Sequence, residues 1–282
     1  MLSYRHSFHA GNHADVLKHS ILMYVLQYMN RKEKPYVYID THAGAGVYDV
    51  LGQQAQKTGE YLDGIARLLN QKQPTTDFLK PYTDLIASFN SGQNLHYYPG
   101  SPAIAQRLLR PSDRLILTEL HGADAANLRD SLGRDRRVYI SQEDGLKHLK
   151  AILPPPEKRA VVLIDPSYEI KTDYDLVIRA IQQAVQRFAT GTYLLWYPVI
   201  NRSATESFIA ELVKCQIPDM WRLELCVEAD NNDRGMTGSG MILINPPYSL
   251  AGDATESMAV LHQRLAQDMG QGGTILQRLT EE

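Results

Sequence analysis

The 282-residue sequence has few cysteines, no long apolar run, no excess of positive charge and no complete dinucleotide-binding glycine pattern. Each shortage excludes something. Its two cysteines, Cys215 and Cys226, cannot form a disulfide framework and stand too far apart for a CxxC redox or zinc pair. No stretch approaches the roughly 20 apolar residues of a membrane-spanning helix. The first apolar run, Ile21 to Met29, follows Lys18 and His19 and lacks a small-residue cleavage site, so no signal peptide is expected. The expectation is a soluble, cytoplasmic chain without membrane contact. Lys plus Arg number 29 against 32 Asp plus Glu, a charge of -3 that argues against nucleic-acid binding through bulk positive charge. A local basic patch remains open.

What is present is the composition of an ordinary globular protein, 44% hydrophobic and 22% charged, which excludes a disordered or fibrous chain. At about 150 residues per domain the length allows one or two domains. Ala14 to Arg31 reads as a helix with its apolar positions largely on one side. Short apolar strands follow at Tyr36 to Ile39, Arg114 to Thr118, Arg137 to Ile140, Ala160 to Ile164 and Thr192 to Trp196. Between them lie helical patterns at Pro102 to Leu109, Ala123 to Leu132, Gly145 to Ile152 and Asp173 to Phe188. Such alternation predicts an α/β fold with a mainly parallel sheet and helices on both faces. The last strands, Arg222 to Val227 and Met241 to Ile244, are too close for a helical crossover and predict an antiparallel final pair. The stretch from Asp40 to Glu119 far exceeds one βαβ step of about 30 residues. Its surplus, 52–95, carries helical patterns at Glu60 to Asn70 and Asp77 to Phe89, and reads as a helical insertion within one domain.

The residues with chemical potential collect at strand ends. Asp40-Thr41-His42-Ala43-Gly44-Ala45-Gly46 follows the first strand, where Gly44 lets backbone approach a ligand. Asp49 stands where a dinucleotide motif needs its third glycine. Glu119, Asp144 and Asp165 end, or nearly end, the next three strands. A carboxylate after the second strand suits ribose hydroxyls, and one after the third suits an adenine amine. Asp165-Pro166-Ser167-Tyr168 approximates the [Asp/Asn/Ser]-Pro-Pro-[aromatic] turn of S-adenosylmethionine-dependent amino methylation. There the acid and the Pro166 carbonyl accept from both N–H groups of a poorly nucleophilic amine, and Tyr168 stacks on its base. Asn245-Pro246-Pro247-Tyr248 fits that pattern more fully, as in glutamine-N5 methyltransferases, but follows the last strand and reads as a terminating turn.

Four of nine histidines, His6, His9, His13 and His19, fall in the first 19 residues with Tyr4, Arg5 and Lys18. His9 and His13 have metal-ligand spacing, but no HExxH or cysteine partner supports a metal, and none is expected. A cationic, aromatic segment entering a helix suits RNA phosphates and bases.

The run from Ser3-Tyr4-Arg5-His6 to Asp15-Val16-Leu17-Lys18-His19 is similar to the N-terminal signature of the RlmJ family, which methylates N6 of an adenine in 23S ribosomal RNA. Further matching segments are Asp40 to Gly46, Gly59 to Ala66, Tyr97 to Pro102, Thr118 to His121, Lys171 to Tyr174, Trp196 to Val199 and Arg234 to Pro247. The resemblance implies a Rossmann-like class I methyltransferase domain spanning 1–282 with a small inserted helical subdomain. It implies S-adenosylmethionine contacts at His19, His42, Ser101, Glu119, Asp144, Gly145 and Asp165, catalysis at Asp165, and substrate RNA contacts at Tyr4, His6 and Lys18. It implies 23S rRNA, free or in early assembly, as the partner of a monomer. Ser167 departs from the family's Asp-Pro-Pro-Tyr, and Tyr248 from its frequent Asn-Pro-Pro-Trp. The alternatives are glutamine-N5 methylation at Asn245 to Tyr248 and a non-catalytic RNA-binding assembly protein.

Overall fold

A computed structural model describes residues 4–70, 75–92, 94–230, 235–267 and 271–281. Ser3, Arg234 and parts of the insertion (71–74 and 93) lie outside the described residues. A single 3-10 turn, His6–Phe8, precedes α1 (His13–Asn30), β1 (Val37–Asp40) and β2 (Val47–Asp49). The insertion holds α2 (Gln53–Thr58), α3 (Glu60–Asp63), α4 (Ile65–Leu69) and α5 (Lys80–Ser88), and β3 (Tyr97–Pro99) follows. Then come α6 (Ser101–Leu108), β4 (Arg114–Thr118), α7 (Gly122–Leu132), β5 (Val138–Ser141), α8 (Gly145–Ile152) and β6 (Ala160–Ile164). The chain continues through α9 (Thr172–Arg187), β7 (Thr192–Val199), α10 (Arg202–Lys214), β8 (Met220–Cys226), β9 (Gly238–Ile244), α11 (Leu250–Leu265) and β10 (Gly273–Arg278).

The fold is α/β. Eight strands form one sheet in the order β10-β8-β9-β7-β6-β1-β4-β5. From β7 to β5 all pairs are parallel, whereas β9, β8 and β10 continue antiparallel from β7. The sequence pattern anticipated the closing antiparallel pair but not β10, nor the small β2–β3 ladder, nor α2, α10 and α11. Successive residues of β1 supply opposite faces: Tyr38 joins one apolar cluster with α1, and Val37 and Ile39 join the other. Every residue of β6 is buried, as helices on both faces require.

Helix α1 departs from its expected amphipathic form. Fifteen of its 18 residues are buried, Asp15, Lys18 and His19 among them, because α5, α6, α11 and β9 surround it. Asn12 caps it by accepting from the Asp15 N–H at 3.0 Å. The pattern from Glu60 to Asn70 is two helices, broken at Gly64, where a Cβ would lie 2.1 Å from the Gly11 carbonyl oxygen. That close approach lets Ile65 N–H donate to the Gly11 carbonyl at 2.8 Å. Glu60 reinforces it by accepting from the Asn12 amide at 3.0 Å and bonding the His9 ring at 2.8 Å, while Thr58 bonds the Phe8 carbonyl.

Candidate active site

A cavity of about 450 Å³ opens at the carboxyl ends of β1, β4 and β6, where α/β sheets bind ligands. Of the residues singled out above, Tyr4, His6, Lys18, His19, His42, Gly44, Ser101, Glu119, Asp144, Gly145, Asp165 and Pro166 line it. Tyr168 does not.

The first wall is the loop after β1. Asp40, fully buried, accepts from the Tyr38 hydroxyl and Ser101 Oγ, both at 2.7 Å, and from the His42 N–H at 3.1 Å. Burial pushes its carboxyl up to about 6. Burial also lowers the pKa of His42, whose Nδ1 lies 2.8 Å from Thr41 Oγ1. Gly44 has φ +61 and donates its N–H to Glu119 Oε2 at 2.8 Å, while His121 N–H donates to Oε1 at 2.6 Å. Two backbone donors thus aim the Glu119 carboxylate, and its burial raises its pKa. Asp144 caps α8 by accepting from the Leu146 and Lys147 N–H groups at 3.1 and 3.2 Å. Burial would raise its pKa, but Lys147 and these amides lower it. Gly145 is obligatory: a Cβ there would stand 1.9 Å from the Thr41 carbonyl oxygen.

The second wall comes from the N-terminal segment. Lys18 Nζ lies 2.5 Å from Asp165 Oδ2 and 2.9 Å from Asp15 Oδ1. Asp15 Oδ2 in turn meets His6 Nε2 at 2.9 Å and Gly11 N–H at 2.8 Å. Burial alone would lower the Lys18 pKa, but the two carboxylates raise it above the ordinary lysine value. Burial would likewise raise Asp15, yet His6 and Lys18 hold it well below the usual carboxylate range. His19 is driven down to about 3 by burial, so it is a neutral imidazole, 2.6 Å from the Tyr98 hydroxyl. Tyr4 bonds His6 Nδ1 through its hydroxyl at 2.9 Å and donates its N–H to Glu169 at 3.0 Å. Arg5 forks onto Asp124 of α7 at 2.9 and 3.1 Å. The segment therefore spans the cavity from α7 to the turn after β6.

That turn, 165–168, corrects one expectation. Tyr168 has φ +51, and this left-handed backbone directs its ring into the core, 4.5 Å from Tyr174 and 6.3 Å from Phe208. Its hydroxyl donates to the Trp196 carbonyl at 2.8 Å, so it presents no face to a ligand. The aromatic wall beside Asp165 is Trp196 instead, with Lys18 Nζ 5.7 Å from its ring centroid. Sequence reasoning assigned no role to Asp15, Asp124 or Trp196. Only the Asp15–Lys18 spacing, three apart on one helix, carried a signal. Asp165 lines the cavity, and its Oδ1 accepts no hydrogen bond among the described residues.

The rival turn lies elsewhere. Because β9 runs antiparallel, Ile244 pairs with Tyr193 at the start of β7, which puts Asn245 to Tyr248 at the opposite end of the sheet from the cavity. The Asn245 amide donates to the Ala189 and Gly191 carbonyls at 2.7 and 2.8 Å. Burial holds the His13 imidazole down to about 4, and His9 faces Glu60. Among the described residues no three His, Cys, Asp or Glu side chains are grouped to hold a metal, and no helix is long and apolar enough to cross a membrane.

Comparison with known proteins gives a consistent result. A family model described as "Ribosomal RNA large subunit methyltransferase D, RlmJ" matches residues 33–279. A Haemophilus influenzae protein named "Ribosomal RNA large subunit methyltransferase J" is 46% identical over 283 residues, 100% of both chains. An Escherichia coli K12 protein of the same name is 48% identical over 265 residues, 94% of each chain. A crystal structure from Legionella pneumophila superimposes with TM-score 0.87 at 36% identity, over 96% of this chain and 98% of that one.

Proposed function

The chain belongs to the RlmJ family of ribosomal RNA large subunit methyltransferases, and on that premise we propose that it moves a methyl group from S-adenosylmethionine to N6 of a specific adenine in 23S rRNA. The observation that carries this reading is Asp165, which lines the cavity with Pro166 and whose Oδ1 accepts no hydrogen bond among the described residues.

The cavity suits an adenosyl group. Its volume falls in the range of small-molecule sites, roughly 300–1,000 Å³, and Glu119 is oriented by two backbone donors with its remaining lone pairs open to ribose hydroxyls. His19, His42, Gly44, Ser101, Asp144, Gly145 and Asp165 line the same space and would hold the rest of the molecule. S-Adenosylmethionine, when bound, supplies an electrophilic methyl group on sulfur.

The chain's own groups act on the nucleophile. Asp165 Oδ1 and the Pro166 carbonyl accept from the two N–H groups of the target amine, which aims its lone pair and favours pyramidal nitrogen. Lys18 fixes the other carboxylate oxygen at 2.5 Å. Tyr4 and His6, joined to Lys18 through Asp15, border the space for the RNA base, and Trp196 offers it a face in place of Tyr168. Residues 52–95 act as an inserted helical subdomain within one methyltransferase domain, a reading supported by the apolar cluster that α4 and α5 share with α1. The protein works as a cytoplasmic monomer on free rRNA or an early assembly intermediate.

The test is mass spectrometry of nucleosides from deproteinised 23S rRNA treated with wild-type and Asp165→Ala protein. One N6-methyladenosine per molecule, lost in the variant, supports the reading. Undiminished methylation by Asp165→Ala removes it. The glutamine-N5 reading is disfavoured by the hydrogen-bonded Asn245 amide. The non-catalytic reading would require that calorimetry detect no S-adenosylmethionine binding.

A further inference from the structure

The net charge of -3 hides a separation of charge between the two ends of the sheet. Strands β6, β1, β4 and β5 are neighbours, and the loops leading into them meet on the rim opposite the cavity. Those loops, 157–159, 31–35, 110–114 and 134–137, hold ten Lys and Arg against four Asp and Glu. The rim thus carries +6 and leaves -9 for the rest of the chain.

Three of the four acids are paired within the rim, and the fourth, Glu33, is exposed between Lys32 and Lys34, so the cations stay in excess on the outer face. Asp113, Asp135 and Glu157 pair with Arg110, Arg137 and Arg114. Backbone contacts brace the loops together: Arg110 donates to the Lys32 and Lys34 carbonyls, Arg159 to Lys34 and Met29, and Arg137 to Leu109. Arg31, Lys32, Lys34, Arg134, Arg136 and Lys158 remain exposed, and none pairs with a carboxylate among the described residues. Aromatic rings stand among the charges. The Arg114 guanidinium lies 5.6 Å from the ring centroid of exposed Tyr139, and Arg31 lies 5.1 Å from that of Tyr28.

We propose that this rim is a second RNA-contact surface, which takes backbone phosphates of the substrate RNA at a distance from the base that enters the cavity. The proposal rests on the RNA-methyltransferase reading above and names a surface which that reading does not use. Strands spaced about 4.8 Å apart set the four loops along roughly 14 Å, an array of fixed cations suited to a polyphosphate and able to displace its counterions. Guanidinium groups and tyrosine rings add stacking that tolerates any sequence. A membrane surface fits less well, because none of the large exposed aliphatic residues lies on these loops. The cavity is about five strand residues away, or roughly 17 Å, so one folded RNA reaches both.

The test combines Lys32→Gln, Lys34→Gln, Arg134→Gln, Arg136→Gln and Lys158→Gln, with Lys80→Gln/Lys214→Gln as a control that removes two cations from other surfaces. Thermal melting checks that each variant folds as wild type does. Filter binding measures affinity across a salt series for a long 23S rRNA transcript and for one short hairpin containing the methylated adenine. The rim variant should bind the long transcript about 10- to 100-fold more weakly at low salt, and its salt slope should fall by up to about 4. Hairpin binding and kcat on the hairpin should not change, nor should the control. Unchanged affinity and slope on the long transcript overturn the proposal, as does equal weakening on both RNAs. Binding of an acidic protein or anionic vesicles that depends on the rim, with RNA binding intact, also overturns it. Rim-dependent RNA binding by a wild-type protein that transfers no methyl group would leave this surface standing and defeat the catalytic reading alone.

Discussion

Lys18 Nζ lies 2.5 Å from Asp165 Oδ2 and joins the first helix to the turn after β6 across 147 residues of sequence. The same ammonium lies 2.9 Å from Asp15, a carboxylate with 1% of its side chain exposed. One cation therefore serves both a buried structural acid and the acid at the cavity.

Replacing that cation separates the two duties. Lys18→Met leaves Asp15 buried without the Lys18 ammonium, with only the His6 and His19 imidazoles near it, and should cost about 3–5 kcal/mol, as for other broken buried pairs. Adding Asp15→Asn should restore much of the unfolding midpoint in denaturant without restoring methyl transfer. Recovery of both would show that Lys18 acts through stability alone.

The fold was legible where hydrophobic period and strand-end acids agreed. The boundaries of β4, β6 and α8 match the sequence pattern, and the four strand-end acids lie around one cavity or beside it. Other features had no local signal. Strand β10 pairs with β8 far from its own sequence neighbours, and the burial of α1 on all sides depends on elements that only the tertiary fold brings around it. Tyr168 was misplaced because a motif specifies residue types and not φ, and at +51° the ring leaves the site. The basic rim was invisible for a similar reason. Its loops are scattered through the chain and meet only when the sheet forms.

Asn245→Ala should lower stability by about 1–3 kcal/mol, since it removes two hydrogen bonds, to the Ala189 and Gly191 carbonyls near the start of β7. Methyl transfer per folded molecule should stay at the wild-type level. A selective loss of kcat in a protein of unchanged melting temperature would return the Asn-Pro-Pro-Tyr turn to the chemistry.

Asp40 predicts a pH effect of definite sign. Its pKa rises from 3.8 when unfolded to about 6 when folded, so the unfolded chain releases the proton first and stability falls as pH climbs through that window. Asp40→Asn lacks this loss. Its stability relative to wild type should grow by about 2–3 kcal/mol between pH 4 and 7, as read from denaturation midpoints. Parallel curves would mean that Asp40 does not titrate there. Asp15 acts in the other direction, because its lowered pKa gives a contribution that disappears as pH drops below the ordinary carboxylate value.

Gly145→Ala should force α8 away from the loop after β1, because the new methyl carbon would meet the Thr41 carbonyl oxygen. Overpacking of this kind costs about 1–3 kcal/mol. Calorimetric binding of S-adenosylmethionine should weaken with it, whereas Gly252→Ala, which meets nothing within 4 Å, should change neither. Equal behaviour of the two variants would contradict the packing described.

The insertion holds residues 8–12 through the Gly11–Ile65 backbone bond and the Glu60 side chain. These two stretches, some fifty positions apart, form a single mated part. A chimera that imports only the insertion from a relative would thus inherit a mismatched grip on the segment bearing Tyr4 and His6. Interchangeable modules in this protein must be cut as pairs.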